Sequence, residues 1–129
     1  MKQRIIITAA LLGLTAVILG AFGAHGLKSL LSGDQLASYE TGVRYQMYHA
    51  LALLGIASLF SEDLKIVKVI FSCFLVGTLL FSGSIYLLSC RELLDGFNLR
   101  WLGPVTPLGG LTLIIGWGAL AVASFRIPS

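Results

Sequence analysis

Ile5-Ile6-Ile7-Thr8-Ala9-Ala10-Leu11-Leu12-Gly13-Leu14-Thr15-Ala16-Val17-Ile18-Leu19-Gly20-Ala21-Phe22-Gly23-Ala24 runs for 20 residues without a charge. At 1.5 Å per residue such a helix spans about 30 Å, the thickness of a bilayer's hydrocarbon core. The preceding Met1-Lys2-Gln3-Arg4 could also open a secretory signal. Signal apolar regions are shorter, about 7–15 residues, and here further apolar segments follow, so the stretch reads as a retained first span. Ala9, Gly13, Ala16, Gly20 and Gly23 recur at alternating spacings of four and three, which places them on one face. In lipid, close backbone approach along such a face supplies packing that apolar area alone cannot.

Outward from this segment the chain keeps the same character. Of its 129 residues 57% are hydrophobic and 12% charged, and the mean hydropathy is +0.91, too few charges to cover a water-facing surface. Ser32-Gly33-Asp34-Gln35 has the form of a capping box, with Ser32 as N-cap, so a second helix is predicted over about 34–60. Its first half is amphipathic, and Glu40 precedes Arg44 by four residues, the favourable order for a helical pair. The membrane span is expected to begin near Val43, which puts His49 inside the bilayer and the tyrosines at its edge. Ser61 to Lys65 reads as a short polar turn, and a third helix follows over about 66–89 with Thr78, Ser82, Ser84 and Tyr86 in its second half. A polar loop runs from Arg91 to Arg100. Thr106 suits an N-cap and Pro107 the first turn of a fourth helix over about 107–125, which leaves Gly103 to Val105 as irregular backbone. The expected architecture is an all-α membrane protein: one domain over 1–129, an antiparallel four-helix transmembrane bundle with an extended amphipathic start to helix 2.

Nine Lys and Arg give a formal net charge of +3. They stand singly or in pairs at segment ends, and no basic run exists to follow a phosphate backbone, so nucleic acid is not expected as a partner. Lys2, Arg4, Lys65, Lys68 and Arg126 fall on one side, and Lys28, Arg44, Arg91 and Arg100 on the other. That bias of five to four favours both termini on the inner, cytoplasmic side of a multi-pass membrane protein. Cys73 and Cys90 are 17 positions apart, about 25 Å along one helix, too far to pair within the chain.

Polar groups in lipid are costly and turn inward. The expected arrangement gathers His25, Arg44, Tyr45, Gln46, His49, Ser82, Ser84, Tyr86 and Thr106 at one end of the bundle, as a candidate ligand-binding cluster. His49 could hydrogen-bond a ligand or shuttle a proton, or it could simply bond a neighbouring helix. His25 reads as a cap on the last carbonyls of helix 1, facing headgroups. Arg44 reads as paired with Glu40 and snorkelling to phosphate, or as a holder of an anion. Gly109-Gly110 reads as a close-packing point, or as an anion-binding helix start. Trp101 and Trp117 read as interface anchors. No metal-ligand spacing, nucleophile motif or phosphate loop is present, so no metal, cofactor or catalytic residue is assigned.

Gly20-Ala21-Phe22-Gly23-Ala24-His25-Gly26-Leu27, Tyr45-Gln46-Met47-Tyr48-His49-Ala50-Leu51, Leu80-Phe81-Ser82-Gly83-Ser84-Ile85-Tyr86 and Thr106-Pro107-Leu108-Gly109-Gly110, with Gly116-Trp117 beyond, resemble a known family. It is the one catalogued as domain of unknown function 423, which includes small bacterial inner-membrane proteins and the animal transmembrane protein 256. The resemblance covers nearly the whole chain and implies a four-span protein of the bacterial plasma membrane. It brings no substrate with it. The leading expectation is a non-enzymatic protein that binds a lipid, quinone or other amphiphile, or a membrane partner, through the polar cluster. The alternative is an oligomeric transporter or channel subunit, a homo-oligomer joined through the small-residue faces of helices 1 and 3.

Overall fold

The computed structural model describes residues 1–60 and 64–125; Ser61 to Asp63 in the expected turn, and Arg126, lie outside the described residues. Four long helices account for most of the chain: α1 (Lys2–Phe22), α2 (Gly33–Leu59), α3 (Lys65–Ser89) and α4 (Val105–Ser124). The first runs on through a widened π turn, Gly23–Leu27. The capping box forms as the sequence predicts. Ser32 Oγ accepts the Gln35 N–H at 3.3 Å, and Gln35 Oε1 accepts the Ser32 N–H at 2.9 Å.

Two clusters fix the helix directions. At one end Ile5 and Ala9 of α1 pack with Leu53, Ile56 and Ala57 of α2, Val67 and Ile70 of α3, and Ala123 of α4. At the other, Leu27 and Leu31 pack with Tyr39, Val43, Tyr86 and Cys90. Successive helices are therefore antiparallel. The segments Lys2–Leu27, Lys65–Ser89 and Arg100–Ser124 are long and apolar enough to cross a membrane. The more polar α2 lies between α1 and α3 along their length. The outer faces carry Ile7, Leu11, Val17, Leu51, Leu79 and Ile114, all exposed, while Gln46, His49, Thr78, Ser82 and Ser84 are buried. This inside-out distribution is what a lipid solvent requires.

Small residues set the helix spacing. A Cβ on Gly20 would meet Val43 at 3.2 Å and one on Gly23 would meet the Tyr39 ring at 2.5 Å. The small-residue face of α1 is thus already covered by α2, so the helix 1 seam expected between copies is occupied within the chain. Between α3 and α4 the fit is tighter. A Cβ on Gly116 would meet the Phe74 ring at 2.7 Å, one on Gly77 would meet Leu113 at 2.6 Å, and one on Gly109 would collide with the Phe81 backbone.

Two helix ends differ from expectation. The π turn carries α1 past His25, which stands exposed on its surface rather than capping the last carbonyls. The fourth helix starts at Val105 with Pro104 as its N-cap, so Thr106 and Pro107 lie inside the first turn. Pro107 is tolerated there because first-turn N–H groups have no intrahelical acceptor. Upstream, Arg100–Leu102 forms a 3-10 turn, with Leu102 N–H on Leu99 at 3.0 Å and Gly103 N–H on Arg100 at 3.2 Å. In the stretch expected to be irregular, Gly103 closes this turn, the Pro104 carbonyl accepts the Leu108 N–H at 3.3 Å, and Val105 is already helical.

Candidate functional site

Gln46 sits where α1, α2 and α3 meet and is 5% exposed. Its Nε2 donates to the Leu12 carbonyl at 2.9 Å and to Thr15 Oγ1 at 2.7 Å, while its Oε1 accepts from the Tyr86 hydroxyl at 2.7 Å. One turn toward the nearer membrane edge, Ser82 Oγ donates to the Gly42 carbonyl at 2.7 Å. Gly42 is needed there because the Tyr86 ring lies against it; a Cβ would come within 2.8 Å of that ring. Tyr39 completes the set by donating to the Leu19 carbonyl at 2.7 Å. These bonds tie three helices together and satisfy both functions of the Gln46 amide.

His49 belongs to a second group, between α2 and α4. The Trp117 indole can only donate, and its Nε1 lies 3.1 Å from His49 Nε2, so that nitrogen accepts. The remaining ring proton sits on Nδ1, 2.7 Å from the Tyr45 carbonyl. The imidazole is held neutral in one tautomer with both nitrogens engaged. Its ring meets Phe74 edge-on at 5.0 Å, and Trp117 stacks at a tilt on the same Phe74 at 5.1 Å. A third, smaller contact joins α3 to α4, where the Ser84 and Thr106 hydroxyls are 2.6 Å apart.

α2 and α4 flank α3 and leave a groove along it. Its deeper part is a cleft of about 280 Å³ lined by Tyr45, His49, Phe81, Gly110, Leu113, Ile114 and Trp117. Toward the membrane edge lies a cleft of about 310 Å³ lined by Asp34, Gln35, Ser38, Ile85, Leu88, Ser89, Arg91 and Thr106. Ser38 and Tyr45 are two turns apart on one helix face, and Phe81 and Ile85, like Thr106 and Gly110, are one turn apart. The two clefts therefore stack end to end. Burial at this end pushes the Cys90 thiol above its ordinary range. Among the described residues no group of three His, Cys, Asp or Glu side chains is placed to hold a metal ion.

With this geometry in view, a family model described as "Protein of unknown function (DUF423)" matches residues 19–110. The chain belongs to the DUF423 family. It is 40% identical over 130 residues to a UPF0382 membrane protein of Haemophilus influenzae, covering 100% of this chain and 99% of that one. It is 42% identical over 123 residues to the UPF0382 membrane protein YwdK of Bacillus subtilis, covering 94% of this chain and 95% of that one. It is 38% identical over 127 residues to the UPF0382 inner membrane protein YgdD of Escherichia coli, covering 98% and 92%. No solved structure matches it.

The matched span of the DUF423 family holds all nine residues of the candidate cluster read from the sequence, and the structure sorts them. It brings Gln46, Ser82 and Tyr86 into one network and Ser84 onto Thr106. His49 and Tyr45 stand at the deeper cleft, where the Tyr45 ring lies 4.8 Å from that of Phe81. Arg44 stays outside, exposed, with its guanidinium 4.0 Å from Glu40. His25 also stays outside, exposed on the π turn. Trp101 is 65% exposed, as an anchor would be, whereas the Trp117 N–H turns inward to His49. Thr15, Tyr39 and Trp117 are the site-forming residues not assigned to it from sequence. For Trp117 a signal existed, since Gly110, Leu113, Ile114 and Trp117 follow helical spacing on one face.

Proposed function

We propose that this protein is a non-enzymatic membrane protein that holds an amphiphile in the groove between α2 and α4. One observation carries the reading: two clefts follow one another along α3, the outer lined in part by charged and hydroxyl-bearing residues and the deeper one by aromatic and aliphatic residues. That succession matches a molecule with a polar head and an apolar tail. Small-molecule sites are mostly apolar concavities with a few polar groups, and this groove has that character. The side chains between α1, α2 and α3 bond one another, which supports a role in ordering the bundle rather than in lining a passage. In the deeper cleft His49 and the Trp117 N–H already engage each other. A ring carbonyl entering there would have to break that bond, which favours an acyl chain over a quinone head.

The test is native mass spectrometry of the full chain released from membranes in mild detergent. The parent is expected to retain an amphiphile at one per chain. Gly110→Leu fills the deeper cleft, and it is the variant to compare because a Cβ there would sit 3.6 Å from the Phe81 ring, an ordinary contact. It is expected to fold and to lose the bound molecule. Equal retention by parent and variant would overturn the proposal, as would a co-purifying membrane protein in place of an amphiphile.

A further inference from the structure

The outer cleft carries two opposite charges on different elements. Asp34 stands in the first turn of α2, and Arg91 follows α3. Both are exposed, and neither forms an ion pair among the described residues, where Arg44 and Glu40 supply the ion pair. Ser38 and Ser89 line the same cleft. The aromatic cleft, where an acyl chain would lie, is one to two helical turns farther in.

We propose that the outer cleft is the headgroup site for a zwitterionic phospholipid bearing a primary amine, its ammonium at Asp34 and its phosphate at Arg91. The inference rests on the amphiphile reading above and adds the headgroup to it. Specificity follows from the charge arrangement. A purely anionic lipid gains Arg91 but meets the Asp34 carboxylate, and an uncharged lipid leaves both groups unpartnered. A quaternary ammonium matches the charge but has no N–H to give the carboxylate or the Ser38 hydroxyl. A primary ammonium has three. The phosphate is assigned to Arg91 rather than to the N-terminus of α2 because the Ser32–Gln35 box already occupies amide donors there and Asp34 repels an anion. A guanidinium suits phosphate by presenting two parallel donors.

The purified full chain, delipidated and titrated with phosphatidylethanolamine, phosphatidylcholine and phosphatidylglycerol of matched acyl chains, tests this by native mass spectrometry. Phosphatidylethanolamine is expected to be retained on the order of tenfold more strongly than phosphatidylglycerol, equivalent to about 1.4 kcal/mol. Asp34→Asn should reduce that preference to parity, and Arg91→Gln should weaken all three lipids alike. Both positions are exposed, so melting temperatures close to the parent's are expected and are measured alongside. Equal retention of the three lipids by the parent, with Gly110→Leu still abolishing it, would overturn the headgroup assignment and leave the amphiphile reading standing. A preference that survives Asp34→Asn would overturn the assignment in the same way. A parent that retains none of the lipids would overturn both.

Discussion

Gln46 offers one amide to two neighbouring helices, and its removal should be felt by both. Gln46→Leu deletes the bonds to Leu12, Thr15 and Tyr86 and leaves the Tyr86 hydroxyl without its acceptor. An orphaned buried group costs about 1–3 kcal/mol. Tyr86→Phe in the Gln46→Leu background removes that orphan, so the two changes should be strongly non-additive, and a double-mutant cycle on unfolding in mixed micelles reads the coupling. Additive losses would mean that the bond contributes nothing. The opposite sign is expected at Thr78, whose Oγ1 is buried with no hydrogen-bond partner among the described residues. Thr78→Val keeps the shape and removes the unsatisfied hydroxyl, so it should raise stability by about 1 kcal/mol; a loss by the same measurement would show that the hydroxyl has a partner. Cys90 gives a chemical readout of the same end of the bundle. Its thiol is raised by burial, so at neutral pH its thiolate fraction lies below that of a free cysteine, and maleimide labelling in a Cys73→Ala background should be slow there and accelerate with rising pH. Labelling at the rate of a free cysteine near pH 7 would contradict the packing of Cys90 against Leu27, Leu31 and Tyr39.

At the scale of elements, α3 and α4 are the pair whose spacing has least tolerance. Neighbouring glycines on α4 should behave differently for that reason. Gly109→Ala drives a methyl into the Phe81 backbone, which cannot turn aside as a side chain can, whereas Gly110→Ala reaches only the Phe81 ring at 3.6 Å. The first should cost about 1–3 kcal/mol, typical of overpacking, and the second should be neutral or slightly stabilising because alanine is the better helix former. Thermal unfolding of both in one detergent decides it, and equal melting temperatures would remove the backbone contact from the account. The helices themselves were legible because each carried local chemistry: an unbroken apolar run for α1, and a reciprocal cap for α2 that forms at Ser32 and Gln35. The start of α4 was misplaced because Thr106-Pro107 and Gly103-Pro104 are both plausible helix openings by local rules, and the packing of Leu102 and the Ser84–Thr106 bond favours the earlier one. The polar cluster was half legible. Gln46, Ser82 and Tyr86 had to find partners in lipid, but two of those partners are main-chain carbonyls, of Leu12 and Gly42, which no side chain announces.

For the whole molecule the packing gives a constraint that charge counting could not. Ile5 of α1, Val67 of α3 and Ala123 of α4 lie in one cluster, while Leu27, Tyr86 and Cys90 lie in the other, so the N-terminus and the end of α4 share one face of the membrane. That makes orientation a single binary choice. Charges near the ends decide it: Lys2, Arg4, Lys65, Lys68 and Arg126 against Lys28, Arg44, Arg91 and Arg100, with both termini expected in the cytoplasm. The bias is one residue, so it should be reversible. Removing two cytoplasmic-side charges, as in Lys2→Gln with Arg4→Gln, turns five against four into three against four. Reporter fusions active solely in the cytoplasm should therefore signal from both ends of the parent and fall together in the double variant. The fall must be joint, because antiparallel packing lets the ends change sides only as a pair. Signals that separate, one end retained and the other lost, would contradict the four-helix arrangement itself, whereas an unchanged pair would show that features other than these two charges hold the orientation.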